Sequence, residues 1–149
     1  MTVIRITKQF RFEAAHALSG YDGLCKNVHG HSYELSVTVS GTPVSDERSP
    51  KKGMVIDFSD IKEIVRKNVV DKFDHALILP RDFTDKPLLD MQEPFGNVVF
   101  VDYQPTSENL LIDFAGRIKE SLPPQVTLHS LKLKETANSF AEWFAVDNE

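Results

Sequence analysis

The chain has 149 residues, 41% of them hydrophobic and 26% charged, a length and balance that suit one soluble domain, 1–149, with its own core. A formal charge of −5 argues against nucleic acid as a main partner, and no apolar run approaches the roughly 20 residues that span a bilayer. The single cysteine excludes an internal disulfide and suits a reducing cytosol, so a cytoplasmic location is expected.

The N-terminal segment alternates polar and apolar residues and lacks the apolar block of a signal peptide. Residues 3–12 read as a strand running towards Glu13-Ala14-Ala15-His16, followed by a loop of turn formers at 19–24. Residues 33–40 alternate strictly, with Tyr33, Leu35, Val37 and Val39 on one face of a strand. A polar loop at 42–52 precedes a short strand expected at 53–57. A helix should start near Asp57 or Ser59, its apolar stripe being Ile61, Ile64, Val65 and Val69. Residues 80–97 are broken by prolines and read as irregular. A strand is expected at 98–103, and Thr106 or Ser107 can cap a second helix with a stripe of Leu110, Leu111, Phe114, Ile118 and Leu122. Pro123-Pro124 stops that helix. A last strand at 126–136 leads to a short tail around Trp143. This order predicts an α+β fold with both helices on one face of an antiparallel sheet.

Histidines gather near the start of the chain. In extended backbone, His29 and His31 point the same way across Gly30, so both imidazoles can reach one ion. Antiparallel pairing of the first two strands returns His16 to the same end. Three neutral imidazoles with a vacant fourth position form a recognised catalytic zinc arrangement; half-exposed loop histidines without an ion are the alternative. Cys25, in Cys25-x-x-x-His29, reads as a fourth ligand that would close the site, as a reactive thiol beside an open one, or as a plain buried cysteine. Asp74-His75 can form a dyad in which the carboxylate orients the imidazole, or can be surface loop. Glu135 shares a strand face with Leu131 and Leu133, so it requires a partner unless the strand end has emerged into water. Adjacent N–H donors of a purine-like ring would satisfy both its oxygens.

Six segments occur in a fixed order: Phe12-Glu13-Ala14-Ala15-His16, Cys25-x-x-x-His29-Gly30-His31, Gly53-Met54-Val55-Ile56-Asp57-Phe58, Phe73-Asp74-His75, Pro105-Thr106-Ser107-Glu108-Asn109 and Glu135-Thr136. Together they resemble the 6-pyruvoyl-tetrahydropterin synthase family, most closely its bacterial 6-carboxy-tetrahydropterin synthase branch of queuosine biosynthesis. The resemblance implies the tunnelling fold, an antiparallel four-stranded sheet with two helices on one side that oligomerises into a β-barrel, commonly a hexamer of two trimers. It implies zinc (Zn2+) on His16, His29 and His31, with Cys25 as catalytic thiol. Asp74 and His75 would complete the proton-transfer group, reaching Cys25 from a neighbouring subunit. Glu135 would anchor the pterin ring, helped by Thr106, Ser107 and Glu108.

The implied reaction of the carboxy branch turns 7,8-dihydroneopterin triphosphate and water into 6-carboxy-5,6,7,8-tetrahydropterin, acetaldehyde and triphosphate. The three-residue gap between Cys25 and His29 matches that branch. The alternatives are a pyruvoyl-forming synthase that only eliminates triphosphate, and a non-catalytic pterin- or purine-binding module with structural zinc. A generic zinc hydrolase is disfavoured because His-Glu-x-x-His is absent. At about 18 residues, the 80–97 connection departs from the family's short link and reads as a lid, rim or intersubunit contact. Lys8, Arg11, Lys26 and Lys72 are candidates for the triphosphate.

Overall fold

A computed structural model describes residues 1–83 and 95–149, so the core of the 80–97 connection lies outside the described residues. Two long strands, β1 (Ile4–His16) and β2 (His29–Gly41), pair antiparallel along their whole length, with His16 opposite His29, Ala14 opposite His31 and Phe12 opposite Tyr33. The strict alternation read from 33–40 holds: Tyr33, Leu35, Val37 and Val39 are all fully buried. Strand period sends Phe10, Phe12, Ala14 and His16 of β1 to that same face.

Helix α1 (Phe58–Val65) is capped by the Asp57 carboxylate, which accepts from the Ser59 amide at 2.9 Å. It runs on through a π-helical stretch, Arg66–Val70, and a last turn, Asp71–Phe73. The wide stretch shifts the apolar stripe by one position, so Val70 and Phe73 join Ile61, Val65 and Val69 in the core. Helix α2 (Ser107–Ser121) is capped by Thr106, whose Oγ1 accepts from the Asn109 amide. Both helices pack on the face of the sheet that buries Phe12, Tyr33 and Leu35. Phe114 of α2 meets Phe12 and Phe73 edge-on in its middle.

The sheet differs from the expected four antiparallel strands. It has six, in the order β4-β3-β1-β2-β5-β6, and it is mixed. Strand β5 (Val126–Thr136) pairs antiparallel with β2, and β6 (Ser139–Phe144) with β5. On the other side β3 (Ala76–Pro80) runs parallel to β1, and β4 (Val98–Val101) parallel to β3. The tail around Trp143 is therefore a strand. Residues 53–57 are not one: Val44 and Gly53–Met54 satisfy each other's backbone groups locally, and Gly53 takes a positive φ of 83°.

Candidate active site

Strand pairing delivers the three histidines to one end of the helix-facing side of the sheet. His16 closes β1 and is 2% exposed; His29 opens β2 directly opposite, and His31 follows on the same face. Their ring nitrogens converge. His16 Nε2 lies 2.9 Å from His29 Nε2 and 3.2 Å from His31 Nε2, and the three ligand atoms all fall within 4.8 Å of one another. Tautomers of two rings follow from their outer partners. His16 Nδ1–H donates to the Pro105 carbonyl at 2.6 Å, and His29 Nδ1–H donates to the Asn27 carbonyl at 2.7 Å, since a carbonyl can only accept.

With those protons on Nδ1, the facing Nε2 atoms of His16 and His29 both present lone pairs. Two acceptors cannot bond each other, and their approach is repulsive unless a cation lies between them. Tetrahedral coordination with bonds of about 2.05 Å puts ligand nitrogens about 3.3 Å apart, close to the spacing seen. Burial lowers the pKa of His16 below the ordinary 6.5, and burial does the same to His31, so both rings stay neutral and able to ligate. The triad can hold a metal ion. The carbonyl partners orient the rings, as outer-shell groups do at such sites. Beneath the triad, Tyr33 stacks on Phe12, and its hydroxyl lies 3.4 Å from His16 Nδ1. Burial pushes that hydroxyl's pKa well above the ordinary value, so it keeps its proton.

A cavity of about 350 Å³ opens beside His16. Cys25, Thr106, Ser107, Glu108 and Glu135 line it, together with Tyr21 and Phe140. Cys25 sits on a single 3-10 turn, Leu24–Lys26, and is exposed rather than buried. It is not a member of the convergent ligand group, so among the described residues the histidines are not closed off by the thiol. Glu135 faces inward as its strand position required: its Oε1 lies 3.5 Å from His31 Nε2 and 3.6 Å from His16 Nε2. Thr106 spends its oxygen lone pair on the helix cap. Ser107 is 8% exposed, and its Oγ has no partner among the described residues, leaving it available to a ligand.

Asp74 and His75 lie elsewhere. They follow the last turn after α1, where His75 takes a left-handed φ of 59°, uncommon for a side chain with a Cβ. The strain is held by a 2.6 Å bond from the His75 amide to the Glu13 carbonyl, while the Glu13 amide donates to Asp74 Oδ1 at 3.0 Å. His75 Nδ1 lies 3.0 Å from the same Asp74 oxygen, so the dyad exists as a pair, and its ring is 79% exposed. It borders a second cavity, about 480 Å³, with Glu13, Ser32, Phe95 and Asn97. Within one chain His75 and Cys25 therefore line different cavities. Lys8, Arg11, Lys26 and Lys72 border neither. Sequence reasoning missed the Pro105 and Asn27 carbonyls and the walls supplied by Tyr21 and Phe140. Backbone acceptors carry no residue signature, and Phe140 belongs to a strand read as tail.

The family model described as 6-pyruvoyl tetrahydropterin synthase matches residues 5–145. The chain belongs to that family. Among similar curated proteins, a 6-carboxy-5,6,7,8-tetrahydropterin synthase of Haemophilus influenzae is 36% identical over 143 residues, covering 95% of this chain and 99% of the relative. The enzyme of the same name from Aquifex aeolicus is 32% identical, covering 93% and 96%. Among solved structures, the 6-pyruvoyl tetrahydropterin synthase of Caenorhabditis elegans superposes with a TM-score of 0.66 at 26% identity, covering 97% of this chain and 96% of that one. An uncharacterized protein from Wolinella succinogenes reaches 0.75 at 19% identity, covering 97% and 99%, a likeness of fold alone. Membership of the 6-pyruvoyl tetrahydropterin synthase family accords with the α+β tunnelling fold: two helices on one face of a curled sheet, here widened to six strands.

Proposed function

We propose that this chain is a zinc-dependent 6-carboxy-tetrahydropterin synthase. It converts 7,8-dihydroneopterin triphosphate and water to 6-carboxy-5,6,7,8-tetrahydropterin, acetaldehyde and triphosphate, in the cytoplasm, on the route to queuosine. The observation that carries the reading is the convergence of three Nε2 atoms beside a cavity that also holds the only thiol and an inward carboxylate. Similarity to curated enzymes of that name over nearly the whole chain supports the same substrate.

His16, His29 and His31 would hold the zinc. When bound, the ion polarises side-chain oxygens of the substrate and stabilises enolate-like charge. Glu135 accepts two adjacent N–H bonds from the pterin's amino-pyrimidine edge, which orients the ring. The unpartnered Ser107 hydroxyl and the Thr106 hydroxyl proton remain for the ring's acceptors. Cys25 takes and returns protons at the side-chain carbons.

The Asp74–His75 dyad would supply the complementary proton from a neighbouring subunit, because in one chain it faces a different cavity. Among the described residues both edge strands of the sheet, β4 and β6, have one unpaired side, and joining copies through them would close a barrel. A hexamer built as two trimers is the assembly proposed.

Mass spectrometry of the products from dihydroneopterin triphosphate tests the reading. Acetaldehyde released one-to-one with triphosphate is expected. Triphosphate without acetaldehyde would assign the pyruvoyl-forming reaction, and binding without any product would leave a pterin-binding module.

A further inference from the structure

The connection that carries Cys25 has little to hold it. Residues 21–28 are exposed, apart from Gly23, so no buried apolar side chain anchors the turn. Its local bonds are short-range: the Asn27 amide donates to the Leu24 carbonyl, the Lys26 amide to the Gly23 carbonyl, and the Asn27 carbonyl accepts from His29 Nδ1–H two residues on. A thiol that must move protons at a bound substrate cannot be left to wander, because misplacement of about 1 Å can cost a hundredfold in rate. The bond to His29 fixes the end of the turn; something has to register its start against His16.

Gln104 does so with both ends of its amide. Its Oε1 accepts from the Ser19 amide at 3.0 Å, and its Nε2 donates to the Ser19 carbonyl at 2.7 Å. Among the described residues these are the only long-range side-chain hydrogen bonds reaching residues 19–28. The restraint passes directly to the thiol residue, since the adjacent Leu18 amide donates to the Cys25 carbonyl at 3.0 Å. On its other side Gln104 is itself rigid: its carbonyl accepts from the Thr106 amide at 2.8 Å and from Asn109 Nδ2 at 3.0 Å, which fastens it to the first turn of α2. The next residue, Pro105, supplies the carbonyl that holds His16 Nδ1. One short segment thus grips the buried imidazole through its backbone and Ser19, at the start of the connection that carries the thiol, through its side chain.

We infer that Gln104 is a positioning residue that sets the spacing between the Cys25 thiol and the histidine triad. The amide is suited to this because matching the N–H and C=O of one residue needs one acceptor and one donor; a carboxylate supplies only the acceptor, and alanine neither. The inference rests on the proposed function for its catalytic consequence, but its geometry can be read without turnover.

The test uses the full-length protein with the metal replaced by Co(II) and the sole cysteine carrying a trifluoromethyl tag, read by fluorine NMR. Paramagnetic relaxation falls steeply with distance, so it reports thiol-to-metal spacing directly. Gln104→Ala should weaken and spread the cobalt-induced relaxation, and Gln104→Glu should do so less. Unlabelled zinc protein should keep full metal content in both variants, with the fold intact and the thermal midpoint lowered by about 2–8 °C. Its kcat should fall by about tenfold to a hundredfold, with KM little changed. Relaxation equal to wild type in both variants would overturn the inference. So would loss of metal or of fold in both, which would make Gln104 a structural support. A wild-type protein that releases no acetaldehyde, yet shows the relaxation change, would sink the proposed reaction and leave the positioning role standing.

Discussion

Removing one imidazole from the triad should uncouple the protein's stability from its metal. His16 is the ligand to remove, since it is 2% exposed and its ring bridges the other two histidines and the Pro105 carbonyl. At free metal about a hundredfold above the dissociation constant, binding to the folded state alone adds about 2.7 kcal/mol. For a chain of this length each kcal/mol moves the midpoint by about 2–4 °C, so zinc should raise the wild-type midpoint by about 5–11 °C over chelator-treated protein. His16→Ala should abolish that increment. It should also lower the metal-free midpoint, because the Pro105 carbonyl is left buried without its donor, at a cost of about 1–3 kcal/mol. Relief of the repulsion between facing Nε2 atoms offsets part of this loss. Differential scanning fluorimetry with and without chelator, paired with metal analysis of the dialysed protein, reads both effects. His75→Ala is the control, since its exposed ring borders the other cavity, and it should keep the full zinc increment. A His16→Ala protein that retains one metal per chain and the wild-type increment would refute the ligand assignment.

Cys25→Ala should abolish acetaldehyde release while metal content stays at the wild-type level; loss of the metal would mean that the thiol is a ligand. Mixing Cys25→Ala with His75→Ala protein under conditions that exchange subunits should restore part of the activity that neither has alone, and no recovery would contradict a dyad donated by a neighbour. Acid should destabilise the metal-free protein. Burial holds the His16 and His31 pKa below 6.5, so as pH falls past that value the unfolded chain takes up protons that the folded chain refuses. The chelator-treated midpoint should therefore drop between pH 7.5 and 5.5, and His16→Ala should drop less; a rise on acidification would contradict the burial.

The parts of this molecule legible in its sequence are those set by local periodicity or by a short spacing. Tyr33 to Val39 alternate because one face of β2 is buried and the other is not, and the same period aligns His29 with His31. Asp57 and Thr106 announce helix starts because a side-chain oxygen must meet the first free amides. Glu135 could be read as inward from Leu131 and Leu133, and its carboxylate does stand beside the histidines, 3.5 Å from His31 Nε2. What could not be read depends on distant partners. Ala76–Pro80 is too short to show a period, and it becomes a strand only through parallel pairing with β1 and β4. Ser139–Phe144 lies at the sheet edge among the described residues, with only Ala141 and Trp143 half-buried against the core, so six residues leave a weak pattern. The bond from His16 to the Pro105 carbonyl spans 89 residues and involves a backbone oxygen that any residue would carry. Asp74 and His75 are recognisable as neighbours, but only the folded chain shows that the cavity His75 lines is not that of Cys25.

X-ray absorption spectroscopy at the zinc edge of the loaded protein bears most directly on the open triad. Three nitrogen scatterers at about 2.0–2.1 Å and one light oxygen scatterer are the expected first coordination sphere. A sulfur scatterer at about 2.3 Å would place Cys25 on the ion, close the site and remove the free thiol on which the proposed chemistry depends.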